Sequence, residues 1–310
     1  MNKTIQGIFL LRADPTLNAR IVGVLAKAQE IHGGRVHAFV CLSNHWHLHA
    51  TFDSPKQMAD FHCYLGTHIS IEAGRVHDWS GKLFEGRYNH VELSDEHEIH
   101  FERLKHVLSQ GCKEGLVASP LDWPGASSTW SLVSGEPWMG EWVDRTAYGN
   151  ALRRGEEVWE EDFIERLEVK LSPIPPLEHL SASEYRQVTV DLVRQIEDET
   201  AEMHRVDGTS PMGVEAVLAQ DPHHRPNTTK TSVRPWFFAL SDEEREAMRT
   251  ALLYIHVQYR QAAERLREGD RKVKFPVFTF PPALPFVEGP GGNPSKWPAP
   301  VQDVEILEPG

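Results

Sequence analysis

The feature that most restricts this chain is an alternation. In VHAFVCLSNHWHLHATF, residues 36 to 52, an apolar run gives way to histidine at every second position, His45, His47 and His49, with Trp46 and Leu48 between them. Successive side chains of a β-strand point to opposite faces, so the three imidazoles share one face and Trp46 and Leu48 the other. Ser43 and Asn44 are turn formers, and the stretch reads as two strands broken by a turn. The apolar face needs a core to cover it. The imidazole face is ready for a divalent metal, because neutral imidazole is the commonest metal ligand. The plainer alternative is three histidines on the wet side of a half-buried sheet.

The flanking segments supply the cover. DPTLNARIVGVLAKAQEIHG has helical periodicity, with Asp14 as N-cap before Pro15 and Gly33 and Gly34 as its stop. SPKQMADFHCYLGTHISIEAG predicts a second helix opened by Ser54 and Pro55, GKLFEGRYNHVELS a further strand, and DEHEIHFERLKHVLSQGCKEG a helix ending around Gly111 or Gly115. IQGIFLL is a short apolar segment, and beyond Pro120 DWPGASS and SGEPWMGEW are loop-like. The pattern is α+β with an antiparallel sheet. Further on, helices are expected in SASEYRQVTVDLVRQIEDETAEMHR, in GVEAVLAQ and in SDEEREAMRTALLYIHVQYRQAAERLREGD, where Ser241 and Glu244 make a capping box. DPHHRP reads as a solvated loop, and the Pro- and Gly-rich end as an extended tail. The expected organisation is an α+β domain over 1–135, linker and loops over 136–180, a helical region over 181–275 and the tail over 276–310.

A net charge of −13 argues against a nucleic-acid binder, whose affinity comes largely from Lys and Arg on phosphates. Its distribution changes that argument. Residues 1 to 135 hold 12 Lys or Arg against 14 Asp or Glu, together with 12 of the 17 histidines; residues 136 to 310 hold 20 against 31. The acidity therefore belongs to the second part. Cys41, Cys63 and Cys112 lie far apart without CxxC spacing, which fits a reducing cytoplasm and neither a disulfide framework nor a zinc ribbon. Cys41 reads as a small core residue. No run of about 18 apolar residues and no signal-like start is present, so neither a membrane span nor secretion is expected.

Four segments in order, FLLRADPTLNARIVGVLAKAQEI, VHAFVCLSNHWHLHATF, KLFEGRYNHVEL and KHVLSQGCKEGLVASPLDWPGASS, resemble the HUH single-strand DNA transposases, and among them the tyrosine transposases associated with repetitive extragenic palindromes. The family's Asn-His-hydrophobic-His strand end is matched by Asn44, His45, Trp46 and His47. Its GLV-x-SP-x-x-WP segment is matched by Gly115, Leu116, Val117, Ser119, Pro120, Trp123 and Pro124. The resemblance covers roughly residues 8 to 135, and GVEAVLAQDPHHRP resembles a segment of the larger members. It implies a ferredoxin-like HUH domain in which His45 and His47 hold Mg or Mn against the scissile phosphate of single-stranded or hairpin DNA. It also implies a tyrosine on a nearby helix that forms a 5′-phosphotyrosine link, with an Asn or Gln one turn later completing the metal shell.

The chain departs from that pattern at the nucleophile. Aligned on Gly115, Leu116 and Val117, His106 stands where the tyrosine belongs, Gln110 at the Asn position and Gly111 at the Pro. The i, i+4 relation keeps His106 and Gln110 on one helix face, and Gln110 can offer its carbonyl oxygen to a metal. His106 cannot form a phosphotyrosine; it is open as a metal ligand, a general base for water or the remnant of a decayed site. Tyr64 and Tyr88 are the backup nucleophiles, although both also read as packed aromatics. A first strand is also expected some ten residues before FLLR, where the chain has only MNKTIQG, so TIQGIFLL serves for it or it is missing.

Three functions follow. In the first, a transposase-like protein grips DNA at His45, His47, Gln110 and, as a further candidate, His49, with strand transfer lost. In the second, the same site belongs to a metal-dependent single-strand nuclease or an active transposase that uses water or another tyrosine. In the third, the chain is a metal- or partner-binding module unrelated to nucleic acid. Arg75, Lys82 and Arg87 line the DNA path in the first two and are silent in the third. Structured RNA in place of DNA and pairing of two chains into a homodimer stay open.

Overall fold

The computed structural model describes residues 1–226, 237–276, 279 and 281–282. The sheet that carries the histidines forms as its alternation demands. β1 (Asn2–Lys3), β2 (Arg35–Leu42) and β3 (His45–Thr51) lie in the order β1-β3-β2, both pairings antiparallel, and Ser43 and Asn44 form the β2–β3 turn. Beyond β2, Val40 bridges to Ser127, and Cys41 N–H donates to the Ala126 carbonyl at 2.8 Å.

Helices cover both faces. α1 (Pro15–His32) starts where Asp14 accepts from the backbone N–H of Thr16 and Leu17, and α2 (Pro55–Val76) where Ser54 accepts from Gln57 N–H. They pack on one sheet face, where Val36, Phe39, Cys41 and Trp46 are buried with Leu17, Ile21, Leu25, Phe61, Leu65 and Ile69. The other face buries Ala38, Val40 and Leu42 against α3 (His97–Leu108), α4 (Gln110–Lys113) and α7 (Ala182–Asp207), through Leu104, Val107, Leu108, Tyr185, Leu192 and Ile196. Each large apolar side chain buried in this way contributes roughly 2 to 3 kcal/mol relative to exposure. Cys41 is indeed a core residue.

Several expectations need correction. GKLFEGRYNHVELS is not a strand: Thr4 bridges to Phe84, and β4 is confined to Glu92–Leu93, parallel to β7 (Phe237–Phe238). Its hydrogen bonds go to the first residues of the chain, Glu85 N–H to the Lys3 carbonyl and Asn89 N–H to that of Met1. TIQGIFLL does not serve as the first strand either; Ile5–Gly7 is a 3-10 turn, while Asn2–Lys3 pairs with β3 and makes it the central strand.

Residues 136–180 are not a linker. Between α5 (Thr129–Ser134) and α7 they form β5 (Trp138–Val143), α6 (Arg145–Arg153) and β6 (Ile164–Val169), with β5 and β6 antiparallel. This hairpin lies directly on α1, where Gly23 meets Gly140, and a Cβ on either would run into the opposing backbone closer than real Cβ atoms come. Arg20, Glu72, Arg145 and Glu160 join α1, α2, α6 and the turn before β6 in a largely buried ionic network. No boundary at 135 exists in the packing: the compact units are Met1–Thr250 and Ala251–Gly310.

In the second part, α7 has the full Ser181–Glu184 capping box, α8 (Val214–Leu218) is short, and α9 (Asp242–Arg267) follows. Glu244 N–H donates to Ser241 Oγ, but the Ser241 N–H goes to Glu96 rather than Glu244. The Pro- and Gly-rich tail lies almost wholly outside the described residues. Among the described residues no helix is long and apolar enough to cross a membrane.

Candidate metal centre

β3 presents its imidazoles to α3 and α4. His45 and His47 rings lie 5.1 Å apart, and His47 lies 5.3 Å from His106 on α3, both pairs edge to face. Gln110, at the start of α4, lies close enough to His45 to favour its protonated form and donates from Nε2 to the His106 carbonyl at 2.7 Å. His45, His47, His106 and Gln110, singled out from motif spacing, thus meet at one place.

Asn44 orients the first imidazole. Its Oδ1 lies 2.7 Å from His45 Nδ1; an amide oxygen only accepts, so Nδ1 carries the proton and Nε2 keeps the lone pair a metal needs. The same Asn44 donates from Nδ2 to the Gly7 carbonyl at 3.2 Å, which holds the amide in place. Burial drives all three imidazoles toward the neutral form. It pushes His45 down to about 4, offset in part by the Glu114 carboxylate and the nearby Gln110 amide, and pushes His106 down to about 4 with Lys113 and Arg103 adding to it. His47 sits well below the usual imidazole range through burial, then His45, the amino terminus, His106 and Lys113.

His49 joins a different group. Its ring lies 5.1 Å from His37 and stacks on His100 at 5.8 Å, and burial pushes it down to about 3. His37 is satisfied at both nitrogens, by the Ser172 carbonyl at 3.0 Å and Thr51 Oγ1 at 2.9 Å. Nδ1 of His49 and of His100 are buried without hydrogen-bond partners. The further candidate ligand thus stands with His37 and His100, apart from His106. Among the described residues no group of three or more His, Cys, Asp or Glu is arranged to hold a metal ion.

The backup tyrosines lie on the other side of the sheet. Tyr64 on α2 stacks on His68 at 4.1 Å, and Tyr88 stacks on His62 at 4.1 Å, which in turn stacks on Trp46. Burial raises both phenols above their ordinary value, which opposes the phenolate an attack requires. Arg75, on α2, acts electrostatically on Glu160 and belongs to the same side. Lys82 and Arg87 are exposed on the loop bordering β1; Lys82 Nζ donates to the Glu85 carbonyl at 2.9 Å. Arg75 thus lies on a different element from Lys82 and Arg87.

The GLV-x-SP-x-x-WP segment acts as a brace. Trp123 Nε1 donates to the buried Cys41 carbonyl at 2.9 Å, Gly115 has a φ of +67°, and a Cβ at Gly111 would press on Val117 and Trp123. It fixes α4 against β2. Motif reading missed Lys113, whose Nζ lies 3.4 Å from His106 Nδ1, and the charges of Arg103 and Glu114. The signal was available: Lys113 follows His106 by seven residues and Gln110 by three, a helical repeat on one face.

Compared with models of protein families, with curated proteins and with solved structures, the chain finds no match.

Proposed function

We propose that this chain is a transposase-like nucleic-acid binder of the HUH type, which grips a phosphodiester of single-stranded or hairpin DNA and no longer transfers the strand. The convergence of His45, His47, Gln110 and His106 across β3, α3 and α4 supports this reading. In the proposed frame the β1-β3-β2 sheet, with β3 central and the bridge to Ser127 beyond β2, is the core of a ferredoxin-like domain.

The donor set fits a divalent ion of borderline character. Two neutral imidazoles and one amide oxygen make an N, N, O set, which leaves other positions to water and phosphate oxygens and favours Mn²⁺ over Mg²⁺. A bound divalent ion would polarise the phosphoryl group. The chain's own residues do the rest: Asn44 sets the His45 tautomer, the Trp123 brace holds α4 in reach of β3, and Lys113 and Arg103 add positive charge. A histidine at position 106, in place of a hydroxyl-bearing residue, removes the covalent step.

The test is a labelled DNA hairpin incubated with the protein and Mn²⁺, run on native and denaturing gels. Retention on the native gel without cleaved or protein-linked product is expected, with His45→Ala and His47→Ala each losing it. Unchanged retention and Mn²⁺ affinity in both variants would overturn the assignment.

A further inference from the structure

One motif still has no role. GVEAVLAQDPHHRP, residues 213 to 226, carries α8 and the loop after it, and hydrogen bonds tie it to both halves of the candidate centre. Ahead of α8, Met212 N–H donates to the Gly115 carbonyl at 2.8 Å and Gly213 N–H to that of Leu116 at 2.9 Å, just past the helix that carries Gln110. Val217 is wholly buried and anchors α8 in the core shared with α3, α4 and α7. Beyond α8, Ser43 Oγ donates to Gln220 Oε1 at 2.6 Å, and Phe9 N–H donates to the His224 carbonyl at 3.2 Å. DPHHRP is exposed, as its polarity predicts, but its backbone is docked.

A polar path leads from this segment to the first imidazole. Gln220 holds the buried hydroxyl of Ser43, Ser43 and Asn44 make the β2–β3 turn, and the Asn44 amide oxygen fixes the proton on His45 Nδ1. The Asn44 amide donates in turn to Gly7, and a Cβ on Gly7 would meet the Pro226 ring at 3.5 Å, so the segment flanks Asn44 on a second side. We infer that residues 212–226 form a strap that sets α4 against the start of β3, with Gln220 as a positioning residue that acts on His45 through Ser43 and Asn44. His45 and Gln110 come from elements far apart in the chain, and a connection between their supports fixes the spacing of the two donors. For a metal at that spacing the inference rests on the function proposed above; the hold on the His45 tautomer does not.

Two measurements test the strap. In the full chain with ¹⁵N-labelled histidine, in EDTA and with His45 assigned through His45→Ala, two-bond ¹H–¹⁵N spectra read the tautomer directly. The wild-type ring is expected as Nδ1–H alone, Gln220→Ala as a mixture of both tautomers, and Gln220→Glu, which keeps an acceptor for Ser43, as wild type. The second measurement is Mn²⁺ affinity by titration calorimetry: Gln220→Ala should lower it about 10-fold, the low end of what partners outside the ligand shell cost, and Gln220→Glu should restore most of it. Ser43→Ala cuts the same contact from its other side, so each single loss should equal that of the double variant; it stands in wherever Gln220→Ala fails to fold. A wild-type His45 protonated at Nε2, a Gln220→Ala chain with the wild-type tautomer or the wild-type Mn²⁺ affinity, or losses that add, overturns the strap alone. A tautomer that answers to Gln220 in a protein that binds no Mn²⁺ overturns the metal reading alone.

Discussion

His47 and His49 are two residues apart on one strand and point to the same face, yet they belong to different environments. His47 looks at His106, with Gln110 and Lys113 close by. His49 looks at His37 and His100, and His37 has both nitrogens already occupied. The strand chose the face for both. What stands across the gap, a polar helix start for one and packed rings for the other, decides which is available for chemistry.

That difference can be broken or sharpened in several ways. The largest expected effect is functional: His45→Ala or His47→Ala should lower Mn²⁺ affinity and Mn²⁺-dependent hairpin retention by 10-fold or more, by analogy with the roughly 10- to 100-fold losses seen around metal sites. Isothermal titration with Mn²⁺ reads it. His49→Ala should leave Mn²⁺ binding intact and lower unfolding stability by about 2 to 3 kcal/mol, since it removes a buried packed ring; a urea melt reads that. Metal binding lost in His49→Ala alone would merge the two environments.

Acid sharpens the contrast further. In the unfolded chain each imidazole takes a proton near its ordinary 6.5, whereas in the fold burial holds His49 and His62 off to about 3. Between those limits the unfolded state binds more protons, so stability is intact above about pH 6.5 and falls as pH drops toward 3. The slope is about 1.4 kcal/mol per pH unit for each such group. Urea melts at pH 7, 6 and 5 should show the decline, and His49→Phe should flatten it by about one proton.

Smaller effects concern the nucleophile and the basic residues. Under the proposed function, wild type should give no protein-linked DNA on a denaturing gel; a linked band in His106→Tyr would show that the surrounding residues can support attack by a phenol at that position. Arg87→Ala should lower hairpin affinity a few-fold and reduce the salt slope by about one, while Arg75→Ala, on the Glu160 side of α2, should change neither.

Much of the architecture could be read from local chemistry. Asp14 and Pro15, Ser54 and Pro55, and the Ser43–Asn44 turn announce their elements because capping and turn formation are decided within a few residues. β5 escaped notice for the opposite reason. Gly140 looks like a breaker in WMGEWV, and only the presence of Gly23 across the gap explains it. The candidate site divides in the same way. Helical spacing brought His106 and Gln110 together, but nothing near His49 in the sequence announces His100, and Arg75 follows α2 to the far side of the sheet.

The seam between Gly23 and Gly140 bears on how such a chain can change over generations. A catalytic cassette that is passed from gene to gene must be able to leave its neighbours without tearing its own core. Here two absent side chains let a helix from the first hundred residues and a strand from beyond position 135 lie backbone against backbone, so neither can be exchanged without the other. The histidine strand and the hairpin on α1 belong to one packed body, and any substitution at position 106 is made within that body.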